Sequence, residues 1–212
     1  MGKKIAVVDY GRGNLRSVEK ALQKVGADTE LLPSPTGLEK FGGMVLPGVG
    51  SFGDCARSLR ERKLDAPILE WLRAGKPFLG ICLGYQILFD SSEESLGEKG
   101  LGFFSGTVRK FPVAQGVKVP HMGWNQLRFP GGEGAGIYAG IAAGAFTYFV
   151  HSYYPCPEDE SLVTAWSDHA LPFAASCGRG KVQAVQFHPE KSQTVGLAIL
   201  QNFVGSMVEE AE

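Results

Sequence analysis

What this chain can fold into is limited first by an alternation, through its N-terminal half, of short apolar runs with stretches of helical period, punctuated by Gly-rich turns. Lys4 to Asp9 (KIAVVD) is the first such run, and Gly11-Arg12-Gly13 follows it. Asn14 stands where an N-cap belongs, and Leu15, Val18, Leu22 and Val25 recur at helical spacing until Gly26. Ala27 to Leu32 and Gly43 to Leu46 predict two further strands, the second ending at Pro47-Gly48-Val49-Gly50. A charged helical stretch runs from there to about Arg73, and Pro77 to Ile81 predicts another strand. Short apolar strands that alternate with helices pack best as a mostly parallel central sheet flanked by helices on both faces, an α/β fold.

Beyond Phe103 the texture changes to β-rich segments separated by turns: Phe103 to Phe111, Trp124 to Phe129, Phe146 to Val150, Leu162 to Trp166, Phe173 to Ser176 and Val182 to Phe187. An additional antiparallel region is therefore expected in the C-terminal half. Cys177-Gly178-Arg179-Gly180 carries the best hairpin signal, because its glycines permit positive φ between two strand-like runs. A last helix is expected from about Ser192, with Leu197, Leu200, Val204 and Met207 on one face, and Gly131 to Gly136 reads as a surface loop.

Bulk properties remove several function classes. A length of 212 residues suffices for one buried α/β core, so a single domain over residues 1–212 is expected. With 21 basic and 22 acidic residues interspersed, there is no stripe to attract nucleic acid or a membrane surface. Lys3-Lys4 is followed by an apolar run only from Ile5 to Val8, too short for a signal-peptide core, and a cytoplasmic protein is expected. Cys55, Cys82, Cys156 and Cys177 are widely spaced, without a C-x-x-C pair or a zinc-finger interval, so reduced thiols and no metal site are expected.

Three segments carry chemistry. In Gly80-Ile81-Cys82-Leu83-Gly84 a cysteine sits between two glycines where an apolar strand meets a helix. The serine version of such an elbow exposes a nucleophile and offers the next backbone N–H to an oxyanion. A helix start also favours the thiolate. A buried structural thiol reads equally well from this segment alone, because cysteine is often buried. In Phe187-His188-Pro189-Glu190 a β-like run ends at a histidine one residue from a carboxylate, the pair needed to move a thiol proton and fix the ring tautomer. Taken alone, such a segment is more often a surface histidine beside a solvated glutamate, a reading that loses weight once the elbow is present. Pro47-Gly48-Val49-Gly50 is a turn able to present N–H groups to developing negative charge. All three follow predicted strands, and parallel sheets place ligands at the carboxyl ends of their strands.

GICLGYQ, followed much later by FHPE, resembles the class I glutamine amidotransferases, over essentially the whole chain. Three further segments, DYGRGNL (Asp9 to Leu15), LPGVGSFGD (Leu46 to Asp54) and PHMGWN (Pro120 to Asn125), are similar to the glutaminase subunits of imidazole glycerol phosphate synthases, enzymes of histidine biosynthesis. Many relatives carry P-G-G at the oxyanion turn; Val49 here departs from that in the way the histidine-pathway subunits do.

The resemblance implies a flavodoxin-like fold and a thioester mechanism without metal or organic cofactor. It implies Cys82 as nucleophile, His188 as acid and base, and Glu190 as the orienting acid. It also implies an oxyanion site from the Leu83 N–H and the Val49-Gly50 peptide. Gly48, Gln86, Glu94, Ser152 and Tyr153 match positions that hold L-glutamine, although Glu94 also reads as part of an ordinary solvated acidic run.

One glutaminase domain accounts for the chain, so the ammonia acceptor site is expected on another subunit. By resemblance that partner is a (β/α)8-barrel cyclase forming a heterodimer and making imidazole glycerol phosphate and aminoimidazole carboxamide ribonucleotide. Arg12, Asn14, Met122, Trp124 and Lys191 are candidates for the docking face, Trp124 reading equally as core. Glutaminase activity is expected to be low until the partner docks, with reorientation of the Val49-Gly50 peptide, or tightening of its loop, as the switch. Two other readings stay open: the glutaminase of a different synthase or an independent γ-glutamyl hydrolase, and a catalytically silent flavodoxin-like binding protein.

Overall fold

Alternation within the first strand sets the architecture. In the computed structural model, which describes residues 4–113 and 117–207, β1 (Lys4–Val8) sends Ile5 and Val7 to one face of a sheet and Ala6 and Val8 to the other. All four are fully buried, so the strand needs cover on both sides. On the Ile5 and Val7 side lie α1 (Leu15–Lys24), which turns Val18 and Leu22 inward, and α5 (Gln193–Gly205), which turns Ile199 and Phe203 inward. On the other side, α2 (Phe52–Glu61) and α3 (Asp65–Arg73) contribute Phe52, Leu59, Ile68 and Trp71.

Sandwiched between these layers is a seven-stranded sheet. Its strands are β2 (Thr29–Leu32), β1, β3 (Phe41–Gly48), β4 (Phe78–Cys82), β12 (Val182–Val185), β11 (Leu171–Arg179) and β10 (Val163–His169), in that spatial order. The pairs from β2 to β12 are all parallel, and β11 runs against both of its neighbours. The expected parallel sheet is therefore closed at one side by a hairpin from the β-rich half. Its turn falls at Gly180-Lys181, between Arg179 and Val182. The remaining strands form two small sheets. β5 (Ser91–Ser92), β6 (Gly106–Lys110) and β9 (Tyr153–Pro157) make one, while β7 (His121–Gln126) and β8 (Phe146–His151) pair antiparallel in the other.

Several boundaries differ from the sequence expectation, each for a local reason. Ala27 is not in β2, because its N–H donates to Leu22 C=O and caps α1 past Gly26. The charged stretch to Arg73 is two helices, broken where Lys63 takes a positive φ of 57°. The third small-sheet strand begins at His121 rather than Trp124, and beyond Gln126 only a bridge from Arg128 to Trp166 remains. Asn14 holds the N-cap position of α1 but makes no capping bond; its Oδ1 accepts from the Ser17 hydroxyl at 2.8 Å. The helix expected after Cys82 is the single turn α4 (Leu83–Gln86). It stops there because the carbonyls of Ile87, Leu88 and Phe89 accept from Leu101 to Phe104 instead of continuing the helix.

Candidate active site

The strand-to-helix junction at Cys82 is held in an uncommon backbone conformation, φ 55° and ψ −105°. The glycines around it exist for close approach. A Cβ on Gly84 would lie 1.8 Å from the Leu46 carbonyl oxygen, and one on Gly80 would lie 2.6 Å from the Gly84 carbonyl oxygen. The turn therefore nests against β3, and in the β3 to β4 register Gly48 is directly opposite Cys82. Gly48 was expected among the substrate-holding residues, but it is buried and does not line the cavity. A Cβ there would meet Leu83 Cβ at 2.7 Å, so its part is to let the elbow and the 47–50 turn lie together.

From the end of β12 the chain brings His188 and Glu190 to the same place. His188 Nδ1 hydrogen-bonds Glu190 Oε1 at 2.8 Å, with side chains only 3% and 2% exposed. Nδ1 is thereby fixed toward the carboxylate and Nε2 toward Cys82, making no aligned hydrogen bond of its own. Burial works to lower the His188 pKa, yet the Cys82 sulfur and the Glu190 carboxylate outweigh it and raise the ring to about 10. At neutral pH His188 is an imidazolium between a sulfur and a carboxylate. Burial pushes the Cys55 and Cys177 thiols up to about 12, which keeps them protonated.

These groups open onto a cavity of about 360 Å³ lined by Val49, Gly50, Leu83, Gln86, Glu94, Ser152, Tyr153 and Lys191 besides Cys82 and His188. The sequence also pointed to these residues, with Glu190 standing behind His188. Gly50 has a φ of 105° with open space where a Cβ would be, so glycine is needed there for conformation rather than room. Glu94 is half-buried and accepts from the Phe52 N–H at 2.6 Å, at the start of α2, which is not how a solvated acidic run behaves. Gln86 donates through Nε2 to the Tyr153 carbonyl at 2.9 Å and to Gln186 Oε1 at 3.0 Å.

Pro120, Val150 and His151 also line the cavity and were not singled out in the sequence. His151 belongs to a buried chain: its Nδ1 donates to Tyr153 C=O at 2.8 Å, and its Nε2 meets His121 Nδ1 at 3.0 Å. Burial lowers His151 to about 3 and His121 to about 4, so both rings are neutral. A carbonyl only accepts, so the direction of every bond follows. His151 carries its proton on Nδ1, His121 donates from Nδ1, and His121 Nε2 accepts from Asn125 Nδ2 at 3.1 Å. These histidines lie far apart in sequence, and only the pairing of His121 with His151 across β7 and β8 joins them.

The expected docking residues divide. Met122 and Trp124 project from β7 and are 63% and 46% exposed, so Trp124 is not core. Trp124 packs edge-on to Tyr148, over which Lys191 Nζ lies at 5.9 Å. Arg12 is exposed and pairs with Asp54 at 3.1 Å. Met122, Trp124, Phe146 and Val49 are all exposed apolar side chains. Among the described residues, no helix is long and apolar enough to cross a membrane.

Comparison with known proteins matches the family described as Glutamine amidotransferase class-I over residues 6–207. The chain is 48% identical over 206 residues to the imidazole glycerol phosphate synthase subunit HisH of Desulfitobacterium hafniense, covering 97% of this chain and 95% of that one. It is 51% identical over 201 residues to the protein of the same name from Microcystis aeruginosa, covering 94% of each. Among solved structures, PurLQS from Thermotoga maritima aligns with a TM-score of 0.73 at 20% identity over 98% of both chains, a likeness of fold.

Proposed function

The chain belongs to the class I glutamine amidotransferase family, and from that premise we propose that Cys82, His188 and Glu190 release ammonia from L-glutamine by way of a thioester on Cys82. The chain is the glutaminase subunit of an imidazole glycerol phosphate synthase. The observation that carries the residue assignment is the buried His188, held charged near neutral pH between Glu190 and the Cys82 sulfur at the mouth of the cavity.

In this mechanism the Cys82 thiolate adds to the side-chain amide carbon of glutamine. The negative charge moves to the amide oxygen, which the Leu83 N–H and the Val49-Gly50 peptide receive; one such donor is worth about 3 kcal/mol. His188 then gives its Nε2 proton to the departing nitrogen, the carbon–nitrogen bond breaks, and ammonia leaves. The now neutral His188 takes a proton from water as it attacks the thioester. Collapse of the second tetrahedral species releases glutamate and returns the thiolate. Glu190 keeps Nε2 facing the reacting atoms through both halves. Glu94, Gln86, Ser152 and Tyr153 hold the amino-acid end of the substrate, and no metal or organic cofactor enters.

The partner is a (β/α)8-barrel cyclase that docks on the face carrying Met122, Trp124 and Lys191 and receives the ammonia. Docking beside Val49 and Gly50 reorients their peptide and raises the glutaminase rate. The test is glutamate release by wild-type and Cys82→Ser protein, with and without a cyclase and its nucleotide ligand. Activity that needs both Cys82 and the cyclase supports the reading; equal turnover without the cyclase removes the docking switch, and an active Cys82→Ser protein removes the nucleophile.

A further inference from the structure

We propose that Gln186 is a fourth member of the catalytic constellation, an amide that holds the Cys82 sulfur in its attacking position and shares its negative charge. The inference rests on Cys82 being the nucleophile. Val185 is paired with Ile81 in the parallel register of β12 and β4, so the next step along both chains sets Gln186 beside Cys82. Side chains in an extended segment alternate, which places Gln186 and His188 on one side and the core residue Phe187 on the other. The nucleophile thus has two neighbours from one segment.

Gln186 is 0% exposed. Burying an amide is unfavourable unless its polar ends are bonded, and here both are. Its Nε2 donates to Cys82 Sγ at 3.6 Å, and its Oε1 accepts from Gln86 Nε2 at 3.0 Å. The orientation of the amide is not free. Gln86 Nε2 also donates to the Tyr153 carbonyl, which requires nitrogen at that end of Gln86, and a flipped Gln186 would then face donor with donor. Tyr153 C=O is itself fixed by the His151 Nδ1–H, behind which stand His121 and Asn125. One carbonyl thereby dictates that an N–H, and not an oxygen, faces the sulfur.

Such a donor does what His188 alone does not. His188 gives its proton away during ammonia release, whereas the Gln186 N–H keeps its proton throughout. It steadies the sulfur anion when the thioester breaks and limits rotation of the Cys82 side chain between the two half-reactions. Its Nε2 donates to the sulfur and its Oε1 is taken by Gln86, so its effect is expected on turnover rather than on glutamine affinity.

The test uses the complex with the cyclase and compares wild type, Gln186→Met, Gln186→Glu and Cys82→Ser. Loss of a hydrogen bond to a charged group predicts that Gln186→Met lowers kcat about 10- to 100-fold with KM for glutamine little changed. Alkylation of Cys82 by iodoacetamide should slow in parallel, and Gln186→Glu, which places a carboxylate against the thiolate, should lose more. A folded Gln186→Met protein with wild-type kcat and wild-type alkylation rate overturns the proposal while an inactive Cys82→Ser leaves the nucleophile standing. An active Cys82→Ser protein overturns both. If the Gln186 variants do not fold, the side-chain amide resonances of Gln186 in the wild type decide: they should move when Cys82 is alkylated, and unmoved resonances reject the contact.

Discussion

Glu190→Gln separates charge from shape at the centre of the site. Glutamine keeps an oxygen to accept from His188 Nδ1, so the 2.8 Å bond and the ring orientation survive while the negative charge is removed. His188 is raised from 6.5 to about 10 against the opposing effect of burial, by Cys82 first and by Glu190 with it. A folded-state pKa above the unfolded value stabilises the protein fully below about 6.5, and that contribution is lost as pH rises through about 10. An adjacent opposite charge is worth about one to three pH units to an imidazole. Removing it should therefore bring the alkaline limb of glutaminase activity down from near pH 10 to about pH 7–9. At neutral pH, loss of a buried charge-assisted bond of about 1.5–3 kcal/mol predicts a kcat about 10- to 150-fold lower. The assay is glutamate release as a function of pH in the presence of the cyclase, with circular dichroism to verify folding. A folded Glu190→Gln enzyme whose alkaline limb stays where the wild type has it would refute the charged-histidine argument, whatever its rate.

Other consequences are more local. Gly84→Ala puts a methyl group 1.8 Å from a carbonyl oxygen of β3 and should leave little soluble folded protein, as expression and thermal melting would show. His121 and His151 are kept neutral in the fold, with pKa values lowered to about 4 and about 3. The unfolded chain binds those protons first, so the contribution of these two rings to stability should be full above about pH 6.5 and be lost as pH drops toward 3 to 4, a slope on the acid side that urea midpoints would record. Trp124→Ala removes a half-exposed side chain and should change monomer stability by no more than about 0.5 kcal/mol. The same variant should weaken cyclase binding by more than about 1 kcal/mol in calorimetry; unchanged affinity would move the docking face elsewhere.

The parallel sheet was legible because its strands are short, apolar and punctuated by glycine: both faces of β1 are covered, as KIAVV implies. The elbow was legible because sterics leave little choice of residue at Gly80 and Gly84. β9 was not read, since Tyr153–Pro157 contains two prolines and no alternation; its place is fixed by antiparallel pairing with β6, which only tertiary structure supplies. Gly48 was placed among the ligand contacts because a glycine in a turn looks the same whether it serves a substrate or a neighbouring backbone. Gln186 lay inside the segment VQFHPE, two residues before His188, and alternation alone would have put it on the same side. His121 and His151 offered no such signal, being joined only through the β7 and β8 ladder.

The proposed chemistry turns on a covalent bond to one sulfur. The most direct measurement treats the assembled complex with a glutamine-like electrophile of the acivicin type and maps the adduct by peptide mass spectrometry. A single adduct on Cys82, prevented by excess glutamine and accompanied by complete loss of glutamate release, is the predicted result. Full glutaminase activity with Cys82 modified, or inactivation with the adduct on Cys55, Cys156 or Cys177 instead, would contradict it.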